Sequence, residues 1–416
     1  MKKLLVLSLV VLMAVMGMSV KITMAAGAVG KELEVLMNQI KMFNKIYPDI
    51  EVQLLPMPNS STARHDLYVT YLGAMTPDPD ILMIDVIWPA EFAPFVEDLT
   101  NDYKYFELDK FLPGTVKSGT VQGRIVAIPW FTDAGLLYYR KDLLQKYGYD
   151  VPQTWEELKK VAADIASKEK INGMLFQLNQ YEGLVCDVAE FVHSYGADFL
   201  DANGKVIIGD PDNHARLVKA LTMLKSFIDD GVAPKGVLTY MEEETRRPFQ
   251  NGESVFLRNW PYVWSLANDP KQSKIAGKIG VAPLPMGDIE GGRHSATLGG
   301  WMLAINKYSS AAEKDAAKKF IKFLTSYDQQ LYKAMNAGQN PTRKAVYSDP
   351  KLKEAAPFMV ELYNVFINAE PRPITPLYTE VSDAIQRHIH DFLLGKVDVE
   401  KALKDLESEL KMITGQ

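Results

Sequence analysis

Asp80-Ile81-Leu82-Met83-Ile84-Asp85-Val86 sets four successive large apolar residues between two carboxylates. A strand wetted on one face alternates apolar and polar residues, whereas an unbroken apolar run needs cover on both faces, as in the parallel sheets of α/β proteins. The residues upstream supply that cover. Val20-Lys21-Ile22-Thr23-Met24 alternates like a first strand, over 20–25, and 30–46 reads as a helix stopped before Pro48. A second strand over 50–55 and a second helix over 62–74 follow. Strand and helix alternating in this way make an α/β lobe.

In open α/β sheets, ligands collect outside the carboxyl ends of strands. Asp85 closes the run from 80, and Asp133 follows a second apolar strand, Arg124-Ile125-Val126-Ala127-Ile128-Pro129-Trp130-Phe131. A carboxylate there accepts hydrogen bonds from two sugar hydroxyls, each stronger than a neutral pair. For either Asp taken singly the alternative is a helix cap or turn, and Asp85, just before Val86-Ile87-Trp88-Pro89, is placed for a cap. Arg64 and Arg372, the latter between Pro371 and Pro373, are candidate donors; a surface ion pair and a solvated loop are their alternatives.

Arg258-Asn259-Trp260-Pro261-Tyr262-Val263-Trp264 gathers three large aromatics around a proline that a central strand excludes. Glu253 to Leu257 reads as a buried strand, and Asn259 as the N-cap of a helix whose first turn holds Pro261. Trp260 and Tyr262 then stand at a strand-to-helix corner. Gly299-Gly300-Trp301 places another indole after two residues that let backbone approach closely. Flat apolar faces with a hydrogen-bonding tip suit sugar rings, although packing in a core uses the same residues. Carboxylates beside aromatics also suit a glycosidase, and spacing alone does not separate binding carboxylates from catalytic ones.

Met1-Lys2-Lys3 precedes a nearly uncharged run from Leu4 to Val20 that reads as a signal peptide over 1–19, with an uncleaved anchor as the alternative. Export to the periplasm or cell exterior follows. Cys186 is the one cysteine of the 416-residue chain, so no disulfide framework, Cys-rich metal site or lipid-anchor cysteine is expected; its apolar neighbours suggest a buried small hydrophobe. The formal net charge of −6 argues against nucleic acid. The length suits two domains.

Walker, GxGxxG, HExxH and GxSxG motifs are absent. His388 and His390 lie two apart on a predicted helix and do not share a face, and the Asp201-Ala202-Asn203-Gly204 stretch lacks the later ligands of a calcium loop, reading as a hairpin turn. No metal or cofactor is expected. Thr154 with Glu157 forms a capping box, Leu217, Leu221, Leu224 and Ile228 share a helix face, and Val399, Leu403, Leu406, Leu410 and Ile413 make an apolar stripe on the last helix.

Taken in order, several runs resemble one family. They are Asp133-Ala134-Gly135-Leu136-Leu137-Tyr138-Tyr139-Arg140-Lys141-Asp142-Leu143, Tyr181 to Cys186, Arg258 to Trp264, Val281-Ala282-Pro283-Leu284-Pro285, Thr297-Leu298-Gly299-Gly300-Trp301 and Pro371-Arg372-Pro373-Ile374. Over essentially the whole mature chain the sequence resembles the trehalose/maltose-binding proteins of ABC sugar importers, within the extracellular solute-binding class that includes maltodextrin receptors. The resemblance implies a two-lobed periplasmic-binding-protein fold with three hinge crossings and a ligand cleft between the lobes. It places the first lobe at 20–132 and 305–347 and the second at 133–304 and 348–416.

The same resemblance makes Glu32, with Glu34 as its alternative, Arg64 and Asp85 first-lobe contacts to sugar. It puts Asp133 at the first crossing, and Trp260, Tyr262, Trp301, Arg372 and Tyr378 on the second lobe or its border. Phe131 stands where relatives can carry tyrosine, beside an unusual Trp130, so one sugar-bonding hydroxyl is missing and the exact sugar does not transfer. The implied protein is a monomeric, non-enzymatic receptor that captures an α-linked glucose disaccharide and delivers it to the permease of an ABC importer by hinge closure. A receptor for another small sugar or a non-sugar solute is the alternative, with a secreted glycoside hydrolase behind it.

Overall fold

A computed structural model describes residues 19–27, 29–373 and 375–416. The expected signal peptide lies almost wholly outside them. No helix among the described residues is long and apolar enough to cross a membrane.

The run at 80–86 forms the strand Ile81–Asp85, buried at every position. Its side chains alternate between two cores. Ile81 and Met83 pack with Leu36, Phe43 and Phe320 on one face, while Leu82 and Ile84 pack with Tyr68, Leu72 and Phe92 on the other. Each such side chain contributes about 1.5–3 kcal/mol when fully buried, which is why neither face can be left wet.

The first sheet has six strands in the spatial order Asn340–Pro341, Ile128–Ala134, Leu298–Ile305, Ile81–Asp85, Val20–Ala26 and Ile50–Pro56. The three expected N-terminal strands are mutually parallel, but Leu298–Ile305 runs antiparallel to both of its neighbours. The second sheet has four strands, in the order Ile279–Ala282, Leu136–Arg140, Ser254–Asn259 and Asn172–Leu175. The resulting architecture is the expected two-lobed α/β fold.

Four expectations about boundaries change. The strand expected over 124–131 is divided into a short hairpin arm, Arg124–Ile125, and Ile128–Ala134, so Asp133 lies inside a strand instead of beyond its end. The passage to the second sheet, expected at 132/133, comes at Gly135, where an added Cβ would fall 1.8 Å from the Glu190 carboxylate, so only glycine fits. The return passage was expected at 304/305, yet residues 298–305 all belong to the first sheet. Trp301 therefore stands on the first lobe, not on the second or its border. The third passage follows Pro341, because Val346 and Tyr347 already pack in the second core, ahead of the expected 347/348 boundary.

Local signals elsewhere hold. Thr154 and Glu157 form the capping box of the helix Trp155–Glu169. Asp201 accepts from the backbone of Asn203 and Lys205, which makes its stretch a turn. Asn259 does not cap a helix: it is the last residue of its strand, its side chain accepts from the Trp260 N–H, and the next helix starts only at Val263. His388 pairs with Glu409 while His390 bonds the Leu238 carbonyl, so the two share no ligand.

Candidate functional site

Sheet register assembles the first wall of the cleft. Trp301 lies opposite Asp85 on one side and Phe131 on the other, and Gly299 lies opposite Asp133. A register shift between Trp301 and Met302, of the kind that bends a strand near functional sites, re-aims this end of the strand. Gly300 has φ of +116°, and a Cβ there would come 2.5 Å from the Phe131 carbonyl oxygen. Gly299 is tight for a different reason: its added Cβ would meet Trp260 Cζ3 at 3.0 Å and Asp133 Cβ at 3.2 Å. The glycine pair thus lets an indole from the opposite lobe close onto the first sheet.

The second wall is the corner after the strand Ser254–Asn259. Trp260 lies with one face against Arg258, whose guanidinium carbon is 4.1 Å from the ring centroid. Arg258 is itself held by fully buried Glu190 and Asp187. The Trp260 indole N–H points at Glu242 Oε1 at 3.4 Å, while the other Glu242 oxygen has no partner among the described residues. The hydroxyl of Tyr262 donates to Glu243 at 3.0 Å, which leaves its ring rather than its hydroxyl to the cleft.

Nine of the ten expected residues line one cleft: Glu32, Arg64, Asp85, Phe131, Asp133, Trp260, Tyr262, Trp301 and Arg372. Protein atoms leave about 720 Å³ of space there, counting the part open to solvent. Tyr378 is not among its walls. It opens the helix Tyr378–Leu393 and donates to Glu182 Oε1 behind Arg372. Glu34 is not on the cleft either, so Glu32 holds the position.

Both arginines depart from their alternative readings as surface groups. Arg64 is 1% exposed, donates to the Pro58 and Asn59 carbonyls, and covers Trp301 at 4.2 Å from its centroid. Arg372 is 2% exposed and bonds Asp85 and Glu182 at once. Asp85 also accepts from the Ile87 N–H at 3.3 Å, so its turn role and its cleft role coexist. Cys186 is buried, as expected, but also borders the cleft.

The acids of the cleft are poorly solvated. Burial raises Glu32 above the usual carboxylate range against the pull of Arg64 and Lys333, and one of its oxygens has no partner among the described residues. Burial pushes Asp133 up to about 7, with Lys333 opposing and Glu32 and Asp85 adding to the rise. Glu242 is raised by burial as well. Such carboxylates retain acceptor capacity for a polar ligand that enters a water-poor cleft.

Glu182, Glu242 and Lys333 were not singled out from the sequence. Glu182 sits inside the quoted run from Tyr181, but an acid at a helix start reads as an ordinary dipole partner. Glu242 opens Glu242-Glu243-Glu244 and is hidden for the same reason. Lys333 had a usable signal, since helical period places it beside Gln330, Ala334 and Ala337, all of them buried.

The lobes touch around the cleft through Arg372 with Asp85, the Glu182 N–H with Thr62, Thr379 with Glu91, and Lys31 with Asp269. Residues 27–331 match the model of the bacterial extracellular solute-binding protein family. This chain is a bacterial extracellular solute-binding protein. A probable ABC transporter-binding protein of Deinococcus radiodurans is 42% identical over 375 residues, covering 88% of this chain and 87% of that one. Maltose-bound MalE3 of T. maritima is 65% identical with a TM-score of 0.92, covering 95% of this chain and all of that one. A solute-binding protein of Thermotoga lettingae bound to α-D-tagatose is 26% identical with a TM-score of 0.85, over 95% of this chain and all of that one. The solute-binding protein described here is a transport component and not an enzyme, which removes the glycosidase alternative.

Proposed function

We propose that this solute-binding protein captures an α-linked glucose disaccharide of the maltose or trehalose type and presents it, as an exported monomer, to an ABC importer. The observation that carries this reading is the convergence of Trp260 from one lobe with Trp301, Arg64 and Asp133 from the other around a single cleft. Indoles take the C–H faces of sugar rings, and charged acceptors and donors take the hydroxyls. The likeness to maltose-bound MalE3 supports an α-glucoside as ligand. A membrane permease is the implied partner, as the Deinococcus relative's description suggests.

A second reading, a monosaccharide or other small polyol ligand, is favoured by the tagatose-bound relative and by Phe131, which offers no hydroxyl to a second sugar ring. Titration calorimetry of the purified protein with maltose, trehalose, sucrose, glucose and tagatose separates the two. Micromolar or tighter binding, about 8 kcal/mol or more, to an α-linked disaccharide and not to tagatose is the expected result. No heat with any disaccharide overturns it.

A further inference from the structure

Gln339 borders the ligand space, is 5% exposed, and holds its amide oxygen buried with no hydrogen-bond partner among the described residues. Such an oxygen has lost its water without gaining a substitute, a state that folded chains ordinarily avoid. A glutamine amide offers one acceptor oxygen and two donor hydrogens. The unmet group calls for a partner from outside the chain.

Backbone placement sets the side chain on the cleft. At the edge of the first sheet, Pro341 lies opposite Phe131 and Asn340 opposite Thr132. Continuing that register, Gln339 comes beside Asp133, on the face that Asp133 shares with Phe131 by the alternation of strand side chains. All three border the cleft. Asn340 also has both amide atoms unpartnered among the described residues, but it shares the opposite face with Thr132 and is not a wall of the cleft. Gly338, just before Gln339, ends the helix Tyr327–Ala337 with φ of +71°, and an added Cβ there would come 3.1 Å from the Pro261 carbonyl oxygen of the other lobe. Gln339 is thus held where the first sheet meets the corner at 260–262.

Phe131 presents a ring and no hydroxyl to this part of the cleft. A sugar ring stacked on it covers its C–H face and leaves its hydroxyls needing polar partners at the edge. We propose that Gln339 is a specificity-determining contact of the ligand site, its amide bonding a hydroxyl of the sugar ring that lies against Phe131 and so supplying the partner that Phe131 lacks. This rests on the sugar reading. The cleft then selects for a hydroxyl at one ring position, since a ligand without it leaves the amide unpaired.

Gln339→Met keeps the length of the side chain and removes the amide. By titration calorimetry the variant should bind maltose about tenfold more weakly than wild type. Against a panel of monodeoxy maltoses, one analogue should bind the variant as well as maltose does, because the hydroxyl that Gln339 serves is already gone, while the others keep their wild-type penalties. Unchanged maltose affinity, or the same penalty in both proteins for every analogue, overturns the proposal. The second arm needs no sugar. An amide left unpaired in the empty protein lowers its stability, so Gln339→Met should melt at the wild-type temperature or above it. A lower melting temperature shows the amide bonded within the chain and overturns the proposal even if maltose binds. Wild type failing to bind maltose counts against the sugar reading alone, and the melting arm still decides the role of Gln339.

Discussion

Arg372 grips Asp85 through two nitrogens, Nη2 to Oδ1 at 2.6 Å and Nη1 to Oδ2 at 3.4 Å, and so joins the second lobe to the C-terminal end of a first-lobe strand. The same guanidinium reaches Glu182 at 2.7 Å on its own lobe. An arginine fork matches carboxylate geometry in a way no lysine does. The pair is therefore both a clasp between lobes and a wall of the ligand space.

Arg372→Ala should weaken the clasp without emptying the site. Removing one partner of a buried pair costs about 3–5 kcal/mol, here divided between fold stability and lobe closure. The melting temperature should drop, and small-angle scattering under saturating sugar should give a larger radius of gyration than wild type. Wild-type curves that are identical with and without bound sugar would show that closure does not report occupancy.

Trp260→Ala should cost about 2 kcal/mol or more of sugar affinity, as for a buried aromatic anchor. The ring stands between Arg258 and Gly299 at the surface of its lobe, so the variant should fold. Calorimetry alongside thermal melting checks this, and normal affinity in a folded variant would reduce Trp260 to packing.

The glycine pair should separate fold from binding. At Gly300 an added methyl meets backbone at 2.5 Å in a conformation that favours glycine, so Gly300→Ala should lower stability by several kcal/mol. At Gly299 the methyl meets the Trp260 ring and Asp133, so Gly299→Ala should fold near normally yet bind sugar more weakly. Denaturant melts paired with titrations distinguish the two, and equal stability loss in both would contradict this division.

Asp133 links the site to pH. Its folded value of about 7 exceeds its ordinary 3.8, so the folded protein favours the neutral carboxyl. The resulting stability is fully present below about pH 4 and is lost as pH rises through about 7, roughly 4 kcal/mol at most by linkage. Asp133→Asn should therefore stabilise the ligand-free protein at pH 8 relative to wild type, and little at pH 4. Wild-type sugar affinity should move oppositely, falling as pH drops through about 7 and the acceptor is protonated. Urea melts and titrations at several pH values check both slopes.

Much of the fold was written in local pattern. Four apolar residues at 81–84 demanded two covered faces, and the alternating elements before them gave the lobe. The candidate site was legible where chemistry is concentrated, in Asp85, Asp133, Trp260, Tyr262 and Trp301, whereas Trp264 of the same run donates to the Ala355 carbonyl away from the cleft. What stayed hidden was set by contacts distant in sequence. Nothing local reveals that Leu298–Ile305 inserts antiparallel into the first sheet, because its apolar run would be buried equally well in either lobe. Tyr378 was assigned to the cleft by resemblance, but its hydroxyl is turned to Glu182. Lys333 was passed over because a lysine in a helix is ordinarily solvated, although Gln330 and Ala337 share its helix face.

Both cleft indoles carry a guanidinium on one face, Arg64 on Trp301 and Arg258 on Trp260, one on each lobe. Each contact is made within a single lobe, so the rotational freedom of the two rings is surrendered when that lobe folds. The cleft then works as a fixed gauge. A guest of the wrong curvature cannot recruit a turn of either ring to improve its fit, and selectivity falls to the angle at which the two lobes meet.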